Sequence, residues 1–144
     1  MKVYLDNCSF NRPYDDQSHF NIRLESEAKL AIQNRIINGD LKLVWSFILE
    51  FENAANPFDE RRQNIAKWKE IASEVVLNSE RLIEMTKTFR QFGLKNKDAL
   101  HLASASLAQC VYFITTDIGI LKKSKLIKPC KIINPVDFFT RELQ

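Results

Sequence analysis

Short runs of strand-forming residues alternate along this chain with longer stretches of helical periodicity, and that alternation leaves few architectures open. The runs are Lys2-Val3-Tyr4-Leu5-Asp6, Leu41 to Trp45, Val75 to Leu77, Val111 to Thr115 and Lys131-Ile132-Ile133. Between them, His19 to Asn38 carries Phe20, Ile22, Leu24, Ala28, Leu30, Ala31, Ile32 and Ile36 and stops at Gly39-Asp40. Phe47 to Ala55, Pro57 to about Ser73, Ser79 to Phe92, Asp98 to Ala108, the segment after Asp117 and Val136 to Leu143 also read as helices, and Asn7 to Gln17 as a loop. Strands separated by helices imply an α/β fold with a central parallel sheet between two helical layers.

At 144 residues and 45% hydrophobic composition, with no linker-like or repeated stretch, residues 1–144 are expected to form a single domain. No run of about 20 apolar residues and no basic-then-apolar amino terminus is present, so neither a membrane span nor a signal peptide is expected, and the expected location is cytoplasmic. Cys8, Cys110 and Cys130 show no zinc-ligand spacing and are expected to be reduced and partly buried. Three glycines, at 39, 93 and 119, leave no phosphate-cradling glycine loop. A Ser-centred nucleophile elbow is also missing, as is an Asp-x-Asp after the first strand.

Four acidic residues stand where strands end or helices begin. Asp6 closes the first strand run, Asp117 closes Val111-Tyr112-Phe113-Ile114-Thr115-Thr116-Asp117, and Asp98 opens an Ala- and Leu-rich helix apolar nearly all round. In Trp45 to Ala55, Glu50 and Glu52 point to opposite helix faces; Glu52 lies beside the stripe Ile48, Phe51, Ala55 and is taken as the inward one, with Glu50 on the surface. Each Asp alone is a serviceable helix cap or turn residue. Together at one sheet edge, four carboxylates repel one another and raise each other's pKa unless a cation neutralises them. Oxygen-only ligands suit Mg²⁺ or Mn²⁺ better than zinc.

The net charge of +3 is unevenly spread, because Lys122, Lys123, Lys125, Lys128, Lys131 and Arg141 meet only Asp137 and Glu142 near the carboxyl end. Lys122, Lys123 and Arg12 are candidates to hold a substrate phosphate. Only His19 and His101 could supply metal-free acid–base chemistry, and they read as caps, surface groups or neighbours of the site. Trp45, Trp68 and the ten phenylalanines are taken as core.

Four segments in this order, Tyr4-Leu5-Asp6-Asn7-Cys8, Ser46 with Glu52, Asp98-Ala99-Leu100-His101-Leu102-Ala103 and Ile114-Thr115-Thr116-Asp117, resemble the PIN domain across essentially the whole chain. The resemblance implies a compact parallel α/β/α nuclease, like the VapC ribonuclease toxins of toxin–antitoxin pairs. It implies that Asp6, Glu52, Asp98 and Asp117 are the catalytic and metal-binding residues for Mg²⁺ or Mn²⁺, that Asn7, Ser46, Thr115 and Thr116 support them, and that the substrate is RNA. An antitoxin protein and a homodimer are further implied partners. Asn7 stands where the family has Ser or Thr, and Gly119-Ile120 where many members carry a fifth acidic residue, which leaves one metal and two both open. The competing reading is a non-catalytic module that binds RNA or protein; metal-dependent stabilisation lost in Asp6→Asn separates the two.

Overall fold

A computed structural model describes residues 1–143 and contains a five-stranded sheet in which every neighbouring pair is parallel. The elements are β1 (Lys2–Leu5), α1 (Asn7–Asn11), α2 (Phe20–Ile37), β2 (Lys42–Ser46), α3 (Phe47–Ala54), α4 (Asp59–Ile71), β3 (Glu74–Val76), α5 (Glu80–Arg90), α6 (Asn96–Leu107), β4 (Tyr112–Ile114), α7 (Ile118–Leu121), β5 (Lys131–Ile133) and α8 (Pro135–Asp137). The strand order is β3-β2-β1-β4-β5, so the chain builds outward from β1 in one direction, then returns to its other side. That reversal puts a topological switch between β1 and β4, and ligands of open α/β sheets bind beyond the carboxyl ends of the strands at such a point.

Alternation along the strands assigns the two helical layers. Tyr4, its register partner Phe113 and Ser46 face α6, where Tyr4 meets His101. Trp45 faces the other way, packing edge-on against Phe10 of α1, which also touches Trp68 of α4. Tyr112 lies on that second face too, against Phe138, the residue that follows α8. β1 and β4 are buried on both faces, as apolar runs without alternation require. The core is one continuous cluster around Trp45, Tyr4, Phe10, Phe113, Ile32, Leu49, Leu82 and Leu102. The three-layer expectation is met.

Several local expectations are corrected. Asn7 to Gln17 is not a loop throughout: the Asp6 carboxylate accepts the Ser9 backbone N–H and caps α1, and Arg12–Tyr14 continues as a 3-10 turn with Pro13 in its first positions. In α2 the expected apolar stripe is partly wrong, since Phe20, Leu24 and Leu30 are exposed whereas Ser26, Lys29, Ile32, Gln33 and Ile36 are buried. The layer contact selects the 26-29-33-36 face, and Lys29 is tolerated there because its ammonium lies over the Phe10 ring, 5.2 Å from the centroid. In α3 the buried residues are Ile48, Leu49 and Asn53, while Phe51 and Ala55 face solvent. The segment from Val136 shortens to α8 followed by a π-helical turn, Phe138–Glu142. Phe20, Phe51 and Phe58 are 63%, 62% and 56% exposed, so the phenylalanines are not all core. Residue 144 of the expected domain lies outside the described residues. Among the described residues no helix is long and apolar enough to cross a membrane.

Candidate metal centre

Each of the four acidic side chains reaches the switch point from a different element. Asp6 follows β1 and is 2% exposed; its Oδ1 accepts the Ser9 N–H and its Oδ2 accepts the Thr115 hydroxyl at 2.5 Å. Thr115 follows β4, and its Oγ1 also accepts the Asp117 backbone N–H at 3.0 Å. One hydroxyl thus ties the two flanking acids together across the switch. Ser9 closes the same joint by donating its hydroxyl to the Ile114 carbonyl at 3.0 Å. Asp117 caps α7 by accepting the Ile120 N–H. Asp98 does not open its helix but sits in the first turn of α6, which begins at Asn96.

Glu52 is the inward glutamate, although the stripe expected to mark it is not the buried one. Glu50 faces outward, where its carboxylate accepts the Trp45 indole N–H at 3.1 Å and pairs with Lys69 at 3.2 Å. Glu52 is held by His101, whose ring is 3% exposed. A hydrogen-bonded chain runs through this pocket: Ser46 Oγ meets Tyr4 Oη at 2.6 Å, Tyr4 Oη meets His101 Nδ1 at 2.6 Å, and His101 Nε2 holds the Glu52 carboxylate. Ser46 Oγ additionally accepts the Leu49 N–H and caps α3, the helix that carries Glu52. The burial of His101 and its grip on Glu52 were not legible in the sequence; its one signal was a place three residues after Asp98 on a helix apolar all round.

Burial and charge shift the groups around these acids. Burial first, then the charges of Asp6, Asp117, Asp98 and Glu52, push the Cys8 thiol up to about 12. Cys8 is an exposed residue, but at that pKa its sulfur is a protonated thiol at neutral pH rather than a nucleophile. Cys110 and Cys130 are buried, free thiols, raised by burial to about 12 and about 11. Asp98 is raised by desolvation and then by the charge of Asp117, with Glu52 adding to it and His101 opposing it. Asp6 is raised by burial, partly offset by His101, Thr115 and Ser9. Among the described residues, however, no three Asp, Glu, His or Cys side chains stand close enough to form a finished metal cage. The donor set is all hard oxygen, and Asp98 makes no hydrogen bond among those of the described residues, which is the chemistry a Mg²⁺ or Mn²⁺ ion fits.

The other singled-out residues divide. Asn7 is half-buried and its carbonyls accept the Asn11 amide. Thr116 is buried with its hydroxyl unpartnered, against a separate cleft. Lys122 is exposed just past α7, and Lys123 reaches toward the Gly93 turn. Arg12 is engaged by Asp15 at 3.0 Å and Glu25 at 3.3 Å. His19 precedes α2 without capping it through its side chain, largely exposed beside Asp16.

No family model matches the chain, and no curated protein matches it. The fold does have a counterpart among solved structures. A chain in the crystal structure of VapBC2 from Rickettsia felis, bound to a DNA fragment from their promoter, superposes with a TM-score of 0.56 at 17% identity, over 93% of this chain and 98% of that one. At that identity the likeness concerns the fold, and the fold is the α/β, PIN-like one with an all-parallel central sheet.

Proposed function

We propose that this chain is a metal-dependent nuclease that hydrolyses RNA phosphodiester bonds, with Asp6, Glu52, Asp98 and Asp117 as its catalytic and metal-binding residues. One observation carries the reading: four carboxylates gather at the carboxyl edge of the sheet, Asp6 and Asp117 tied through Thr115 at the β1–β4 switch, and Glu52 held by His101 of α6, the helix that also carries Asp98. Such crowding is unfavourable in isolation and is relieved by a divalent cation. Mg²⁺ or Mn²⁺ held there supplies a water of lowered pKa and offsets charge at the leaving oxygen.

The chain's own groups divide the remaining work. Thr115 fixes the carboxylate orientation of Asp6 and the start of the turn that carries Asp117. The Ser46–Tyr4–His101 chain fixes Glu52, leaving its second oxygen free to face the site. Asp98, with no hydrogen bond to restrain it, is free to swing inward when the charge is neutralised. Lys122 and Lys123 lie one turn beyond Asp117 and are candidates to attract substrate phosphates, with Arg12 a weaker one given its two acidic partners. An antitoxin that covers the acidic edge is the partner this reading and the likeness to a VapBC2 chain support, and homodimerisation belongs to the reading alone.

A second reading, a non-catalytic RNA- or protein-binding module, draws on the lack of a finished cage among the described residues. Labelled tRNA, structured RNA and single-stranded DNA incubated with Mg²⁺, Mn²⁺ or EDTA separate the two. Metal-dependent cutting by the wild type, lost in both Asp6→Asn and Asp98→Asn, is the expected result. A folded, inhibitor-free protein that cuts nothing under any metal would favour the binding module.

A further inference from the structure

Beside the acidic edge lies a cleft of about 420 Å³ whose lining includes Cys8 and Asn11 from α1, Glu52 from α3 and Phe58 and Arg61 at the start of α4. Glu52 is the one of the four acids that lines this cleft, so the cleft adjoins the proposed centre at that residue. Asn53 fixes its far wall by donating its side-chain amide to the Arg62 carbonyl at 2.9 Å, and Asn56 bridges the walls by donating to Asn11 at 3.3 Å.

Arg61 is the unusual member. Its guanidinium lies over two aromatic rings, 4.3 Å from the Phe58 centroid and 4.8 Å from that of Tyr14. It forms no salt bridge among the described residues, its Nε is buried without a hydrogen-bond partner, and its one bond is a long one from an Nη to the Tyr14 carbonyl. The neighbouring cations differ: Arg12 pairs with Asp15 and Glu25, and Arg62 with Asp59. Phe58 and Tyr14 remain 56% and 39% exposed despite these contacts. A preformed cation–π stack with an uncompensated charge, exposed ring surface and an open cleft matches one ligand chemistry in particular, an unpaired nucleotide, whose base stacks on the ring and whose phosphate meets the guanidinium.

We infer that Phe58 and Arg61, supported by Tyr14, form a subsite for an unpaired nucleotide adjoining the scissile phosphate. The inference rests on the nuclease reading for its position relative to the cut, but the binding it asserts is measurable without cleavage. Subsite occupancy requires an unstacked base, so a duplex is excluded from it. Phe58 is exposed, and substituting it leaves the core untouched.

The test is fluorescence anisotropy of a fluorescein-labelled single-stranded 12-mer RNA, and of the same strand in a duplex. It is run with Mg²⁺ in the Asp98→Asn background, with cleavage by the wild-type background measured in parallel. Phe58→Ala is expected to weaken single-strand binding by between about fivefold and a hundredfold, the range of base–aromatic stacking, and Phe58→Trp to retain it. Arg61→Ala is expected to weaken it too and to flatten the salt dependence by about 0.7 in log–log slope, while Arg61→Lys keeps the slope and loses part of the affinity. If Phe58→Ala and Arg61→Ala both bind like the parent, or the duplex binds as well as the single strand, the subsite is overturned and the face belongs to a protein partner. Subsite-dependent binding without metal-dependent cleavage would keep the subsite and remove the nuclease reading. Cleavage by the wild type that persists unchanged in Phe58→Ala and Arg61→Ala would do the reverse.

Discussion

Lys29→Met should stabilise this protein at neutral pH and flatten the dependence of its stability on alkaline pH. Lys29 is 4% exposed, lies on the α2 face against Phe10, and has no acidic partner among the described residues. Burial alone lowers its pKa from 10.5 to about 7. Between those two values the unfolded chain holds a proton that the native protein has released, so stability rises with pH across that window; below about 7 both states are charged and the whole cost is present. At 1.36 kcal/mol per unit, the gap of three and a half units between 10.5 and about 7 sets a ceiling of about 5 kcal/mol on that cost. At pH 7 itself the cost is about 4 kcal/mol, and it falls to roughly 2 kcal/mol by pH 9. Methionine keeps the unbranched length without the charge and retains contact with the Phe10 ring. Urea denaturation of wild type and Lys29→Met at both pH values is the assay, because groups common to the two proteins cancel in the difference. The variant should be more stable by about 4 kcal/mol at pH 7, with the gap about halved at pH 9. Parallel profiles, or a variant less stable at pH 7, would refute the claim that a desolvated ammonium costs this much here.

Tyr4→Phe removes the central link between Ser46 and His101, leaving Ser46 Oγ and His101 Nδ1 each without that hydrogen bond; a loss of about 1–3 kcal/mol by urea denaturation is expected, with weaker binding of Mn²⁺ as Glu52 loosens. Unchanged stability and unchanged metal affinity would mean that the chain does not orient Glu52. Millimolar Mg²⁺ or Mn²⁺ should raise the melting temperature at pH 7.5 and do so less at pH 5, since the metal competes with protons on Asp6 and Asp98, both raised in the folded protein. Without metal the sign is opposite: the native state keeps those protons longer than the unfolded chain, so stability falls as pH rises through the raised values, and Asp98→Asn should be more heat-stable than wild type at neutral pH. A melting temperature indifferent to metal at pH 7.5 would count against the metal centre.

By itself the sequence determined the layer architecture and the elements that carry the acids. Strand runs such as Lys2 to Leu5 and Tyr112 to Ile114 are legible because a strand buried on both faces must be apolar throughout, and a parallel neighbour requires the intervening helix. Asp6 and Asp117 were legible for the same reason, since each ends such a run. What one helix shows its neighbours was not. In α2 and α3 several aliphatic and aromatic residues compete for the inward face, and periodicity alone favoured Phe20, Leu24, Phe51 and Ala55; packing against Phe10 and α6 instead buried Lys29, Gln33, Leu49 and Asn53. Glu52 emerged as the inward acid through its bond to His101, a residue 49 positions away whose partners no local pattern encodes. The strand order did the rest. Only the tertiary structure places β4 beside β1, and that one adjacency brings Asp6, Thr115 and Asp117 within hydrogen-bonding reach across more than a hundred residues. Local sequence sets which backbone a segment prefers, whereas a site is made of side chains from distant segments, whose meeting is fixed by how the layers pack.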